Sequence, residues 1–324
     1  MPVEPLREAD RVLLLGLGGG GDVVGALALT ELAGRLGVEW VLGGVAWERS
    51  PVDPRPGPRS LEEIRGGRPC GPAAVLADAE TRTNDGIRFS ESRMAEHTGR
   101  QALLLDITGG PAATAAGIEA AAAELDCDLV VLVDVGGDVL AHGHEPGLAS
   151  PLCDAVTLAA AATLATSERP AGRRGDVLAA VYGPGCDGEL TPAEVLERIG
   201  QLDAADALLG AWGLTPAACE LVEEAARVVP TEASLQAARC ARGERGTATI
   251  RGGRRKVELT ALGALTFFFD PAVAVESVAP LARAVLPAAG IEEARDALAG
   301  LGVRTELDLE RARARGESAA GAPE

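Results

Sequence analysis

Residues 11–36 read RVLLLGLGGGGDVVGALALTELAGRL: a short apolar run, then Gly16, Gly18, Gly19, Gly20 and Gly21 closed by Asp22, then an apolar stretch with helical spacing. That order predicts a strand, a glycine turn and a helix. Four consecutive glycines forfeit backbone entropy, so their usual reason is a backbone at positive φ or one that must lie flat against something. A small-molecule ligand over the helix N-terminus is the natural candidate. Asp22, at the junction, is expected to cap the helix in addition to, or in place of, contacting ligand, since Asp is a favoured N-cap and its charge suits the helix dipole.

Further strand-like runs at 39–47, 102–107, 128–134 and 177–182 are mostly followed by helix-period or Ala-rich segments. This alternation predicts a three-layer, Rossmann-like α/β fold with a mainly parallel sheet. Thr191, Pro192 and Glu194 in LTPAEVLERI predict a helix start with a capping box. Residues 215–228 predict another helix, and TATIRGGRRKVEL predicts a hairpin turning at Gly252-Gly253. One or two short strands are expected within 74–90, around the turn signal Asn84-Asp85-Gly86. The chain reads as a single α/β domain over 1–300, including a C-terminal α+β extension of helix and hairpin, with a disordered tail at 316–324.

The 324 residues, 47% hydrophobic, can bury a sizeable core. A net charge of −18 repels nucleic acid and anionic lipid, so neither is expected as a partner. Lys256 is the one lysine. A Walker A loop is therefore absent, and Schiff-base chemistry could use that residue alone. The six cysteines are scattered without metal-binding spacing and read as reduced core thiols. The N-terminal MPVEPLREAD lacks an apolar signal region, and no stretch is long and apolar enough to span a membrane, so a cytoplasmic location is expected. Assembly into a homo-oligomer is left open.

In an open parallel sheet, ligands bind beyond the carboxyl ends of the strands. Those positions hold Gly18 to Gly21 with Asp22; Asp106, Thr108, Gly109 and Gly110; Asp134, Gly136, Gly137 and Asp138; and Tyr182, Gly183, Gly185, Asp187 and Glu189. One glycine-rich turn is ordinarily only a tight turn. Four strand ends that each carry glycine and acid favour a site. The acids repel a bare phosphate, so either a divalent cation such as Mg²⁺ mediates, with Asp134 and Asp138 as ligands, or the ligand is hydroxyl-rich or cationic. Arg49 to Arg59, with prolines at 51, 54, 56 and 58, is expected to form a lid over the site, with Arg49 and Arg55 as an anion clamp.

Other motifs compete. Gly16 to Gly21 formally satisfies G-x-G-x-x-G, with Glu48 at the end of the second strand as the ribose acid of an NAD- or FAD-binding domain. His142-Gly143-His144-Glu145, near Asp138 and Asp154, could ligate a transition metal, although such a loop is usually exposed surface. Ser150 lacks a nucleophile elbow, and Cys153 and Cys186 read as inert core thiols. Thr231, Glu232 and Ser234 look first like a helix cap.

With GLGGGGDVVGA, DVGGDVL and GHEPGLASPLCDA in view, the chain resembles, over nearly its whole length, DUF1152, a family of archaeal and actinobacterial proteins of unknown function. The resemblance implies a common fold and site and supplies no chemistry. By position it carries over Gly18 to Asp22, Asp134, Gly136, Gly137, Asp138 and Glu145, while His142 and His144 are departures. The favoured expectation is an enzyme, a transferase or hydrolase, acting on a polar, phosphorylated or sugar-like metabolite, with Asp134 and Asp138 catalytic. The alternatives are a non-enzymatic metabolite-binding or regulatory module and an NAD- or FAD-dependent oxidoreductase.

Overall fold

The run Arg11–Gly16 is apolar without alternation because both of its faces are covered: Leu13 and Leu15 enter one core, Val12 and Leu14 the other. Each such side chain contributes about 1.5–3 kcal/mol on burial. The structure is a computed structural model describing residues 4–167 and 176–317. Its strands are β1 Arg11–Gly16, β2 Glu39–Val45, β3 Ile64–Arg65, β4 Arg68–Pro69, β5 Ala74–Ala77, β6 Arg82–Thr83, β7 Ala102–Leu105, β8 Leu129–Val135, β9 Asp176–Tyr182, β10 Leu208–Gly213, β11 Gly246–Ile250, β12 Arg255–Leu259 and β13 Leu265–Phe269.

The main sheet has the order β10-β13-β9-β8-β1-β2-β7-β5-β4. Its centre, from β9 to β7, is parallel, and antiparallel strands extend both edges. From β1 the chain moves outward through β2 to β7, then returns to add β8 and β9 on the other side. The order therefore reverses between β1 and β8, and the crevice beyond their carboxyl ends is the topological switch point. Helices Asp22–Leu36, Pro216–Ala225 and Ala233–Ala241 cover one face, and Gly110–Glu124, Pro151–Thr166 and Pro271–Ser277 cover the other. The mixed C-terminal part is joined to the sheet through β10 and β13.

Local signals are realised where local chemistry suffices. Thr191 Oγ1 accepts the Glu194 N–H while Glu194 accepts the Thr191 N–H, with Pro192 opening the helix Pro192–Ala204. The strands β11 and β12 pair as a hairpin around Gly252 and Gly253, both at positive φ. β5 and β6 fall within 74–90, and the Gly86 N–H bonds the Thr83 carbonyl across the turn. The final helix, Glu306–Ala314, is closed by Gly316 at φ 71° and by the Glu317 N–H on the Ala312 carbonyl. The rest of the tail expected to be disordered, from 318 onward, lies outside the described residues. Among the described residues no helix is long and apolar enough to cross a membrane.

Candidate functional site

The glycine loop runs from the end of β1 to the helix Asp22–Leu36. Gly19 and Gly20 take φ of 77° and 53°, where a side chain is strained. No acceptor among the described residues engages the N–H groups of Gly19, Gly20 or Gly21, so they remain available at the helix N-terminus. Gly18 is already committed, since its N–H donates to Asp22 Oδ2 at 2.9 Å. That contact corrects the expectation for Asp22. The N-cap is Gly21, Asp22 is the first helical residue, and its carboxylate folds back over the loop instead of capping.

Packing gathers Asp22 with five other carboxylates from four other parts of the fold. Asp134 comes from β8, Asp138 from the short 3-10 turn Asp138–Leu140 after it, and Asp154 from the first turn of the helix Pro151–Thr166. Asp187 and Glu189 lie in the turn after β9. Asp22, Asp134 and Asp154 each bring one oxygen within 4.8 Å of the others, and Asp138, Asp187 and Glu189 form a second such triad. Asp134 and Asp138, expected together on one ion, thus fall in adjoining triads, with the Asp138 carboxyl against both Asp134 and Asp154. Five of the six are buried and Asp22 forms the partly exposed rim.

Such crowding has a cost that shows in their acidities. Burial pushes Asp22 up to about 7 against the opposing Gly18 N–H and Arg49 charge. Burial, then the charges of Asp22 and Asp187, holds Asp134 well above the carboxylate range. Asp138 and Asp154 are raised in the same way, by burial and by their acidic neighbours. Burial followed by the Glu189 charge takes Asp187 to about 8. Glu189 is the exception. Burial acts to raise it, but Arg255 and hydrogen bonds from Ser150 and Ala149 outweigh burial and hold it at about 2.

Glycine makes this convergence sterically feasible. A Cβ on Gly18 would sit 2.7 Å from Asp22 Oδ2 and 2.9 Å from Asp154 Oδ1, and one on Gly136 would sit 2.2 Å from Asp187 Cγ. Gly136 and Gly137 also hold φ of 122° and 110°, which lets the Gly137 N–H turn back onto Asp134 Oδ2 at 2.7 Å.

Arg49 does reach the site, donating to the Gly18 carbonyl at 2.6 Å and lying 4.2 Å over the Trp47 ring. It is not a free anion clamp, because Glu306 and Glu310 flank it. Arg55 is turned to Glu63, and Arg59 is buried on Asp53. The proline segment is therefore strapped to the protein by its own ion pairs, with Arg49 alone on the rim of the site.

Other expected residues are placed elsewhere. Asp106 accepts from Thr108 and from the Leu61 N–H, so Asp106, Thr108 and Gly109 build a self-satisfied helix entry. Glu145 accepts the N–H groups of His142, Gly143 and His144 and pairs with Arg198, closing its own loop. His142 lies on the Val278 carbonyl and His144 is exposed. Glu48 is buried and accepts the Ser90 N–H, so it is not presented to a ribose. Lys256 is on the exposed face of β12. Contact with Cys240 and burial raise the Cys186 thiol, and burial raises that of Cys153, so neither is activated.

Three contributors escape a reading of strand ends. Asp154 lies in the first turn of the helix opened by Pro151, and the sequence marked it only as a neighbour of the His142 to Glu145 motif. Glu306, whose carboxylate accepts the N–H groups of Leu152 and Cys153, caps the same helix from the far end of the chain. Arg255, from the hairpin, donates to Glu189 at 2.9 Å and to the Asp187 carbonyl at 3.2 Å. Its sequence context carried no signal of this.

No curated protein and no solved structure shows a significant match to the chain. The family described as protein of unknown function (DUF1152) matches residues 13–314, which span β1 to the last helix and include every carboxylate of the site. The chain belongs to the DUF1152 family.

Proposed function

We propose that this protein is a cytoplasmic enzyme, a transferase or hydrolase, acting on a small polar metabolite of phosphorylated or sugar-like character at the switch point between β1 and β8. The observation that carries the reading is the convergence of six carboxylates beside a glycine loop whose free amides sit at a helix N-terminus. Those amides suit a phosphoryl or other oxyanion. Asp134 and Asp138 suit the acceptance of substrate hydroxyls and the transfer of a proton, because burial among like charges raises their proton affinity well above that of an ordinary carboxylate. Against a purely sensory module stands the same feature: strongly perturbed titratable groups face the loop, which hydrogen bonding to a ligand alone would not require.

The test is differential scanning fluorimetry of the protein against nucleotides, sugar phosphates and amino acids, with and without Mg²⁺, followed by turnover assays on any compound that binds. A stabilising polar ligand that is converted, with conversion lost in Asp138→Asn, is the expected result. Binding without conversion removes the enzymatic reading and leaves the sensor.

A further inference from the structure

We infer that Asp22, Asp134 and Asp154 seat one hard divalent cation of the Mg²⁺ or Mn²⁺ class, and that Arg255 takes the corresponding place in the neighbouring triad, so that the chain holds a single ion. The inference rests on the site proposed above and supplies its cofactor, but it stands on the geometry of the two triads.

The triads differ in how their charge is met. Glu189 is fully met: Oε2 accepts the Ala149 and Ser150 N–H groups, and Oε1 accepts Ser150 Oγ and Arg255 Nη1, while the buried Asp187 Oδ1 of the same triad has no hydrogen bond but lies beside the Arg255 charge. A guanidinium is already in place there, and an ion would have to displace it. Around Asp154 no such partner exists. Gly18 serves Asp22 and Gly137 serves Asp134, but Asp154 Oδ1 is buried without any hydrogen bond and lies beside Gly18, where a Cβ would meet it at 2.9 Å. The Arg49 charge acts on Asp22 and Asp154, but its hydrogen bonds go to Glu306 and the Gly18 carbonyl and none reaches Asp154.

A buried carboxylate oxygen without a partner is costly. Like charges within 4.8 Å of one another in a buried site add repulsion to that cost. A divalent ion converts that repulsion into attraction. Its class follows from the donors, which are carboxylate oxygens with no imidazole or thiolate, a set that favours Mg²⁺ or Mn²⁺ over zinc. Three protein oxygens leave positions for water and for a substrate oxygen, as Mg²⁺ sites that act on phosphates require. Asp22 and Gly21 are partly exposed beside the buried Gly19 and Gly20, and a substrate would approach from that side.

The experiment is a titration of the EDTA-stripped full-length protein with Mn²⁺, with free Mn²⁺ followed by electron paramagnetic resonance. One equivalent per chain, displaced by excess Mg²⁺, is expected. Asp154→Asn should weaken binding at least about tenfold, and Asp134→Asn gives an independent arm if that variant is not folded. Two equivalents would overturn the role given to Arg255, and no saturable binding, or binding unchanged in both variants, would overturn the cation site itself. Binding of Mn²⁺ with no turnover of any compound keeps this inference and removes the enzymatic reading; turnover undiminished in EDTA does the reverse.

Discussion

Replacing Asp154 with asparagine should make the metal-free protein more stable, and more so as the pH rises. Burial and the charges of Asp134, Asp22 and Glu306 hold the Asp154 carboxyl well above its ordinary value. A raised folded pKa means that the folded chain retains a proton the unfolded chain has released, so stability falls as pH climbs from the unfolded value near 4 towards the folded one. Asparagine has nearly the same shape and no proton to lose, and its amide can donate to the surrounding carboxylates. Each tenfold difference in proton affinity between the folded and unfolded chain corresponds to about 1.4 kcal/mol. Because Asp134 and Asp138 also take up protons and share the strain, the gain is set by relief of one buried, unsatisfied carboxylate oxygen, about 1–3 kcal/mol at pH 8 and less at pH 4.5. Urea unfolding of both proteins in EDTA at the two pH values measures it, with unchanged m-values showing that the transition is the same. Adding Mn²⁺ should reverse the order by stabilising the wild type alone. If Asp154→Asn is less stable than wild type at pH 8 in EDTA, or gains equally at both pH values, the crowded-carboxylate account is wrong.

Arg49→Ala should cost about 3 kcal/mol in chemical denaturation, because it leaves the buried Glu306 and Glu310 without the cation beside them; an unchanged midpoint would show instead that the proline segment is a free lid. Gly136→Ala combines φ of 122° with a Cβ 2.2 Å from Asp187 Cγ and should lose at least about 3 kcal/mol, so a variant with wild-type stability would contradict the described approach of β8 and the Asp187 turn. Thr191→Ala removes one half of the capping box and should cost about 1 kcal/mol by urea unfolding while leaving Mn²⁺ affinity as it was, since Thr191 is outside the carboxylate cluster.

The sequence by itself determined the elements whose causes are local. The unbroken apolar runs mark strands buried on both faces, Thr191 and Glu194 mark a helix start, and Gly19 and Gly20 mark a turn at positive φ because few other residues adopt it. It also showed that β1 and β8 both end in glycine and acid. Which acids converge was not legible. Asp106 and Glu145 look like Asp134 in the sequence, yet they satisfy themselves on neighbouring N–H groups. Asp22 looks like a helix cap, yet it turns to Gly18 and to Asp154, 132 positions away. Arg49 looks like a free cation and is neutralised by Glu306 from the last helix. Hydrogen-bond geometry within a turn is set by residues two to four apart, so it can be read from the chain. Charge compensation depends on which groups share a few ångströms of low-dielectric space, and only the order of strands around β1 and the packing of helices against them decided that.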